Sequence, residues 1–267
     1  MKMAISVYGA HLLAPEEKRT VSELIRRSAG LGFDGIDLGY YWGENRAKEM
    51  AEAKTVAADC GIAIANYVCG NNFGNGAAKG ELAKQIDDTK RALDEAAYFG
   101  CPCLRVFGGG YELDWATWSP KIVEGLAACA EYAAKVGVTM ALEDHGALCK
   151  NSKQQLFYLK QVNSPNLRVM FDIGNCWSNG GERPEDAAAA LADVTVMVHV
   201  KDLQIVNSTF VAVPVGEGLI DFPRCFRILK NHGYDGYLTL EYECTLGDPK
   251  HGIAASLAAM RRFAAVC

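Results

Sequence analysis

The sequence predicts an α/β protein, a (β/α)8 TIM barrel forming a single domain over residues 1–267, and three observations carry that expectation. Short runs rich in Val and Ile alternate with longer stretches of Ala, Leu and charge at helical spacing. Eight such β-α units follow one another at roughly even intervals, and no Ser/Gly/Pro-rich linker interrupts them. An open doubly wound sheet of that order would usually show a break, so closure is the simpler arrangement. The length of 267 residues suits it, because α/β barrels of about 250 residues are routinely one unit.

Strands are expected at 3–7, 35–38, 62–68, 104–107, 139–143, 168–172, 195–200 and 237–242. Strands covered on both faces read as continuous apolar runs, and residues 194–200 do so with only Thr195 and His199 interrupting. Helices are expected near 21–30, 46–59, 81–99, 120–136, 153–162, 184–192, 223–231 and 252–265. Ser119 ahead of Pro120 reads as an N-cap followed by proline at the first helical position, where its missing N–H costs nothing. Gly61, Gly100, Gly137 and Gly233 follow apolar helical stretches and read as helix stops. Residues 203–215 alternate polar and apolar side chains around Asn207 and Ser208, which predicts a hairpin inserted after the seventh barrel strand.

Composition narrows the function classes. With 27 basic and 32 acidic side chains the net charge is −5, which supplies no general field for nucleic acid or anionic lipid, so neither partner is expected. Residues 1–10 hold one Lys and a short apolar stretch, neither a signal peptide nor a membrane span, and the cytoplasm is the expected location. The ten cysteines form no C-x-x-C pair, and the nearest two, Cys101 and Cys103, flank Pro102; small buried thiols are expected.

In such a barrel the reactive groups sit where strands end and the following loops begin. That filter selects Glu143 in Ala-Leu-Glu-Asp-His-Gly, Asp172 in Met-Phe-Asp-Ile-Gly-Asn, His199 in Val-His-Val-Lys-Asp and Glu241 in Leu-Thr-Leu-Glu-Tyr-Glu, on strands five to eight. Any one of them alone would read as a cap or an ion-pair partner. Together they converge on one side of the mouth, where three carboxylates in a partly dry pocket need a cation. Oxygen ligands with one imidazole and no thiolate favour one divalent metal ion, Mn²⁺ or Mg²⁺, with Co²⁺ or Zn²⁺ as alternatives.

Four further residues are candidates for substrate binding. His145 lies two residues beyond Glu143, as a hydroxyl donor, a proton relay or a structural histidine. Lys201, two beyond His199, faces the same way if the strand continues; it meets a phosphate or oxyanion, or else pairs in solvent with Asp202. Asn175 binds substrate or closes a left-handed turn. Arg105 sits inside the fourth strand and needs a buried ionic partner or a ligand. His11, Trp42, Trp115 and Trp118 fall in loops where rings shape a pocket or pack against neighbouring loops. The glycine-rich stretch 70–76 lacks the order of a dinucleotide fingerprint, Gly108 to Gly110 reads as a loop or a close backbone approach, and Gly216 to Gly218 leads to Asp221 as a helix cap.

The phrases ALEDHG, FDIGN, VHVKD and VPVGEGLIDFPRCFRILKNHGYDGYLTLEYE resemble the sugar phosphate isomerase/epimerase superfamily of xylose isomerase-like barrels, and the likeness runs from Gly32-Phe-Asp-Gly-Ile-Asp to Glu241. In its ketose 3-epimerases a Glu, Asp, His, Glu set binds one divalent metal and the two glutamates serve as acid and base. The resemblance therefore implies Glu143, Asp172, His199 and Glu241 as ligands, with Glu143 and Glu241 catalytic. Two departures stand out: Asn175 where those epimerases carry His, and Cys149 where they carry a second Glu. A different small sugar or sugar phosphate is implied, isomerised or epimerised by proton abstraction beside a carbonyl through an enediolate. An inosose-type dehydratase is the alternative on the same barrel. A catalytically silent sugar-binding barrel and a DNA-repair phosphodiesterase like endonuclease IV are further readings, the latter opposed by five scattered histidines and the acidic balance. Dimers and tetramers are common among the proteins resembled, so a homo-oligomer is also implied.

Overall fold

Eight parallel strands close into a barrel in the computed structural model, which describes every residue except Tyr111. They are β1 (Lys2–Ser6), β2 (Gly35–Leu38), β3 (Ala63–Val68), β4 (Cys103–Phe107), β5 (Thr139–Glu143), β6 (Leu167–Asp172), β7 (Thr195–Val200) and β10 (Tyr237–Leu240). Neighbours in the barrel are neighbours in sequence, and β10 pairs with both β7 and β1 to close the ring. Between β7 and β10 stands the expected insertion, an antiparallel hairpin of β8 (Asp202–Val206) and β9 (Thr209–Val213). Its two-residue turn places Asn207 and Ser208 at φ 49° and 64°.

The period-two alternation of the strands sorts their side chains into two compartments. Leu142, Val169, Phe171, Val198 and Leu240 belong to the main core cluster, which they share with helical residues such as Leu126 and Phe226. Cys103, Ala141, Met170 and Met197 form a separate cluster on four successive strands. Two residues further along three of those strands stand Glu143, Asp172 and His199. Those three side chains therefore rise above a small apolar plug at the C-terminal rim. Gly61, Gly100 and Gly137 end three of the helices in the left-handed conformation, at φ 65°, 73° and 72°.

One helix starts earlier than its sequence suggests. The helix after β4 runs Trp115–Val136 and is capped by Asp114, whose carboxylate accepts the Thr117 N–H, so Ser119 is not the cap and Pro120 lies inside. Proline at this point removes the one bond to the Ala116 carbonyl, a cost confined to the helix's second turn. The stretch 70–76 also contributes a short helix, Phe73–Ala78, capped by Asn72. Among the described residues no helix is long and apolar enough to cross a membrane.

Candidate metal centre

At the C-terminal mouth, Glu143, Asp172, His199 and Glu241 each offer a ligand atom within 4.8 Å of the others. Strand pairing puts them there. Asp172 is the register partner of His199 across β6 and β7, Glu143 ends β5, and Glu241 follows β10 with its N–H bonded to the Val200 carbonyl at 3.1 Å. All four side chains are buried.

Each carboxylate is held by one oxygen and presents the other. Asp172 Oδ1 accepts the backbone N–H groups of Gly174 and Asn175 at 2.8 and 2.9 Å, and its Oδ2 has no hydrogen-bond partner. Glu143 Oε1 accepts from Asn175 Nδ2 at 3.2 Å, while Oε2 stands 3.4 Å from Arg105 Nε, also without a hydrogen bond. Neither nitrogen of His199 is hydrogen-bonded: Nδ1 lies 3.5 Å from Glu241 Oε1 and Nε2 lies 3.6 Å from Asp37 Oδ2. Buried polar atoms are ordinarily satisfied. Unpartnered atoms on Glu143, Asp172 and His199, with Glu241 Oε1 beside the imidazole, fit a divalent cation.

The electrostatics of the cluster push its two glutamates apart. Burial raises the Glu143 carboxyl to about 7 against the opposing charge of Arg105, with Glu241 adding to the rise. Burial acts the same way on Glu241, but the charges of Lys201 and His199 overcome it and hold that carboxyl well below its ordinary value. Burial alone would depress His199; the charge of Glu241 and the contacts with Asp37 and Glu241 raise it instead to about 10. Asp172 is raised by burial, opposed by Lys201.

The other candidates fall around this centre in specific ways. Arg105 is buried, pairs with Glu143, and donates from Nη2 to the Tyr40 hydroxyl at 3.1 Å while its guanidinium covers the Phe107 ring at 3.9 Å. Lys201 is buried, and its Nζ meets Glu241 Oε2 at 2.8 Å, Glu243 Oε2 at 2.9 Å and Asp172 Oδ2 at 3.5 Å. It does not pair with Asp202, whose carboxylate instead accepts backbone N–H groups of Gly216 and Gly218 and ties down the loop after the hairpin. Asn175 begins a short helix and is not a left-handed turn residue; it bridges Glu143 to Lys201, whose Nζ donates to Asn175 Oδ1 at 3.2 Å. His145 stands on the cleft wall with its ring 4.6 Å from that of Phe107, and burial together with the charge of Arg105 depresses it to about 4.

A cleft of about 460 Å³ opens onto the centre, lined by Tyr8, Tyr40, Tyr41, Phe107, Arg105, His145 and Glu243 together with Glu143 and Glu241. Its rings are these, and the rings expected from the loops lie elsewhere. His11 stacks on Tyr41, Trp42 donates to the Tyr67 hydroxyl at 3.0 Å, Trp115 packs on Phe157, and Trp118 packs against the core. Asp37, Asp144 and Glu243 were not among the sequence candidates. Asp37 carried a usable signal, a carboxylate near a strand end in Gly-Ile-Asp-Leu. Asp144 is a neighbour of Glu143 whose Oδ1 accepts the Asp172 N–H at 2.8 Å. Glu243 lies beyond the end of β10, where strand alternation no longer applies.

The chain matches the family model for xylose isomerase-like TIM barrels over residues 25–263. It is 36% identical over 135 residues to the L-ribulose-5-phosphate 3-epimerase of Escherichia coli, which is 49% of this chain and 46% of that protein, so the match spans about half the length of this curated relative. Its fold is similar to that of D-psicose 3-epimerase from Clostridium cellulolyticum H10, with TM-score 0.77 and 17% identity over 99% of both chains. It is likewise similar to a xylose isomerase-like TIM barrel protein from Mycobacterium smegmatis in complex with magnesium, with TM-score 0.79 and 17% identity over 99% of this chain and 97% of the other. At those identities the two structures speak for the fold. The family match extends over nearly all of the barrel just described, and the chain is a member of the xylose isomerase-like TIM barrel family.

Proposed function

We propose that the protein is a divalent-metal-dependent isomerase or epimerase of a small sugar or sugar phosphate, acting by proton abstraction beside a carbonyl. The observation that carries this reading is the convergence of Glu143, Asp172, His199 and Glu241 within 4.8 Å, with Glu143 and Glu241 lining a cleft. The likeness to an L-ribulose-5-phosphate 3-epimerase supports it. These four residues would hold the cation, Mn²⁺ or Mg²⁺ from the predominance of oxygen donors. Bound there, it would supply Lewis-acid chemistry beside the substrate carbonyl.

The chain's own residues supply the proton transfers. Glu241, held ionised by Lys201 and His199, is the base that removes the proton from the carbon next to the carbonyl. Glu143, on the other side of the centre, is the partner that returns a proton to the opposite face. The two stand on either side of the Asp172 and His199 pair in strand order, which suits delivery to opposite sides of a planar enediolate. Asn175 and Arg105 keep Glu143 in place, and the aromatic walls exclude water from the reacting carbon. An inosose-type dehydratase would begin with the same abstraction and then lose water, but the curated relatives are epimerases. All ten cysteines are free thiols, a state that a reducing compartment such as the cytoplasm maintains.

The test is a panel of ketoses, ketose phosphates and inososes in deuterated water with Mn²⁺, read by NMR. Deuterium at carbon three identifies epimerisation there, deuterium at carbon one or two identifies isomerisation, and an ultraviolet-absorbing dehydrated product identifies the lyase. Exchange that persists undiminished in chelated, metal-free protein overturns the mechanism.

A further inference from the structure

We infer that Asp37 is a positioning residue for His199, holding the Nε2–H of the imidazole so that Nδ1 is the nitrogen offered to the cation. This rests on the metal-centre reading above and adds a residue and an atom to it.

The geometry is specific. Asp37 stands on β2 and His199 on β7, separated in the ring by β1 and β10, so their contact crosses the barrel mouth. Both are 0% exposed. Asp37 Oδ2 lies 3.6 Å from Nε2, just outside hydrogen-bond length, and neither atom has any hydrogen-bond partner. The other oxygen, Oδ1, accepts from Asn66 Nδ2 at 3.2 Å, which fixes the rotation of the carboxylate. On the opposite side of the ring, Nδ1 faces Glu241 Oε1 at 3.5 Å. The two nitrogens of an imidazole point away from each other, so a group set against Nε2 stands behind the ring as seen from a ligand at Nδ1. Asp37 is accordingly outside the group of four mutually close ligand atoms.

A neutral imidazole carries one N–H, and which nitrogen keeps it depends on the partner of the other. A carboxylate only accepts, so Asp37 stabilises the proton on Nε2 and leaves the Nδ1 lone pair free. Carboxylates that orient a ligating histidine in this way typically govern metal affinity by about 10–100-fold.

Asn66 makes the inference sharp. In Asp37→Asn, the carbonyl oxygen of the new amide is drawn to the Asn66 N–H, because the alternative sets two NH₂ groups against each other. The new NH₂ then faces Nε2, demands a lone pair there, and sends the ring proton to Nδ1. Asp37→Ala removes the preference without reversing it. A purely structural role would rank the variants the other way, since Asn fills the volume of Asp and Ala leaves a cavity.

Two measurements test this. In cadmium-loaded protein carrying isotope-labelled histidine, the cadmium–nitrogen NMR coupling of His199 is expected at Nδ1; coupling at Nε2 overturns the inference. By calorimetry, Mn²⁺ affinity is expected to fall by about 10–100-fold in Asp37→Asn and to be at least as weak there as in Asp37→Ala. Wild-type affinity in folded Asp37→Asn, or a weaker Ala variant, also overturns it, and where neither variant folds the coupling decides alone. If the unmodified protein binds neither cation, the centre itself is refuted and this inference falls with it, a result distinct from cation binding through Nε2.

Discussion

The ammonium of Lys201 lies 2.8 Å from Oε2 of Glu241, placing a positive charge of the chain's own among the carboxylates at the barrel mouth. Both side chains are nearly closed to solvent, at 5% and 10% exposure, so the pair is poorly screened. Burial works to depress the lysine, and the charges of Asp172, Glu241 and Glu243 overcome it and raise it well above its ordinary value. Lys201 thus offsets part of the repulsion that the cation would otherwise have to relieve alone.

Replacing Lys201 by Met is expected to leave buried carboxylates uncompensated and to cost the metal-free protein about 3–5 kcal/mol. Saturating Mn²⁺ should narrow that loss, because the cation neutralises the carboxylates the variant leaves uncompensated and so stabilises the variant more than the unmodified protein. Urea unfolding with chelator and with Mn²⁺ measures both. An equal loss under the two conditions would show that the lysine does not share the charge balance of the centre.

Glu143→Gln and Glu241→Gln keep the side-chain shape and remove the titrating oxygen. Each is expected to slow deuterium exchange into substrate by about 10²–10⁴-fold, the usual contribution of a positioned acid or base. Metal affinity measured separately by calorimetry distinguishes a lost proton transfer from a lost ligand. Exchange at the wild-type rate in either variant would remove that residue from the mechanism.

The metal-free protein is expected to lose stability as the pH rises from about 6.5 to about 10; below that, His145, depressed to about 4, gains a contribution between about 4 and 6.5 that offsets the loss from Glu143. Glu143 is raised from 4.5 to about 7, so the folded state holds the extra proton between those values, and its contribution is present below 4.5 and gone above 7. His199 is raised from 6.5 to about 10, so its contribution is complete below 6.5 and lost as the pH passes 10. Cation binding must displace these protons, so Mn²⁺ affinity should climb between pH 7 and the onset of alkaline unfolding. Thermal unfolding and calorimetry across this range check both trends; a metal-free stability that rises through pH 7 to 10 contradicts the assignment.

Gly39 holds the backbone at φ 148°, and a Cβ there would fall 1.8 Å from the Val68 carbonyl oxygen. The residue leads directly to Tyr40, which forms part of the cleft and bonds Arg105. Gly39→Ala is expected to cost about 2–4 kcal/mol through backbone strain and overpacking. A melting temperature equal to that of the unmodified protein would refute the argument.

The barrel was legible because strand alternation and helix periodicity are local. Eight apolar runs at even spacing announce the strands, and Gly61, Gly100 and Gly137 announce the helix ends. The same locality explains the four rim residues, each found by asking what stands where an apolar run stops. Pro120 misled for a related reason: proline favours a first helical position, but the Asp114 carboxylate offers a stronger start five residues earlier in the helix.

What the chain's order of residues determined by itself was the strands, their closure and the alternation that sends Glu143, Asp172 and His199 to one face. Tertiary structure alone decided who meets whom across the mouth: Lys201 with Glu243 and not Asp202, Asp37 with His199 from three strands away, and tyrosines on the cleft wall in place of the loop tryptophans. Periodicity is set by neighbours along one strand, whereas these contacts depend on barrel curvature and on loops that leave the strands at angles no repeat encodes.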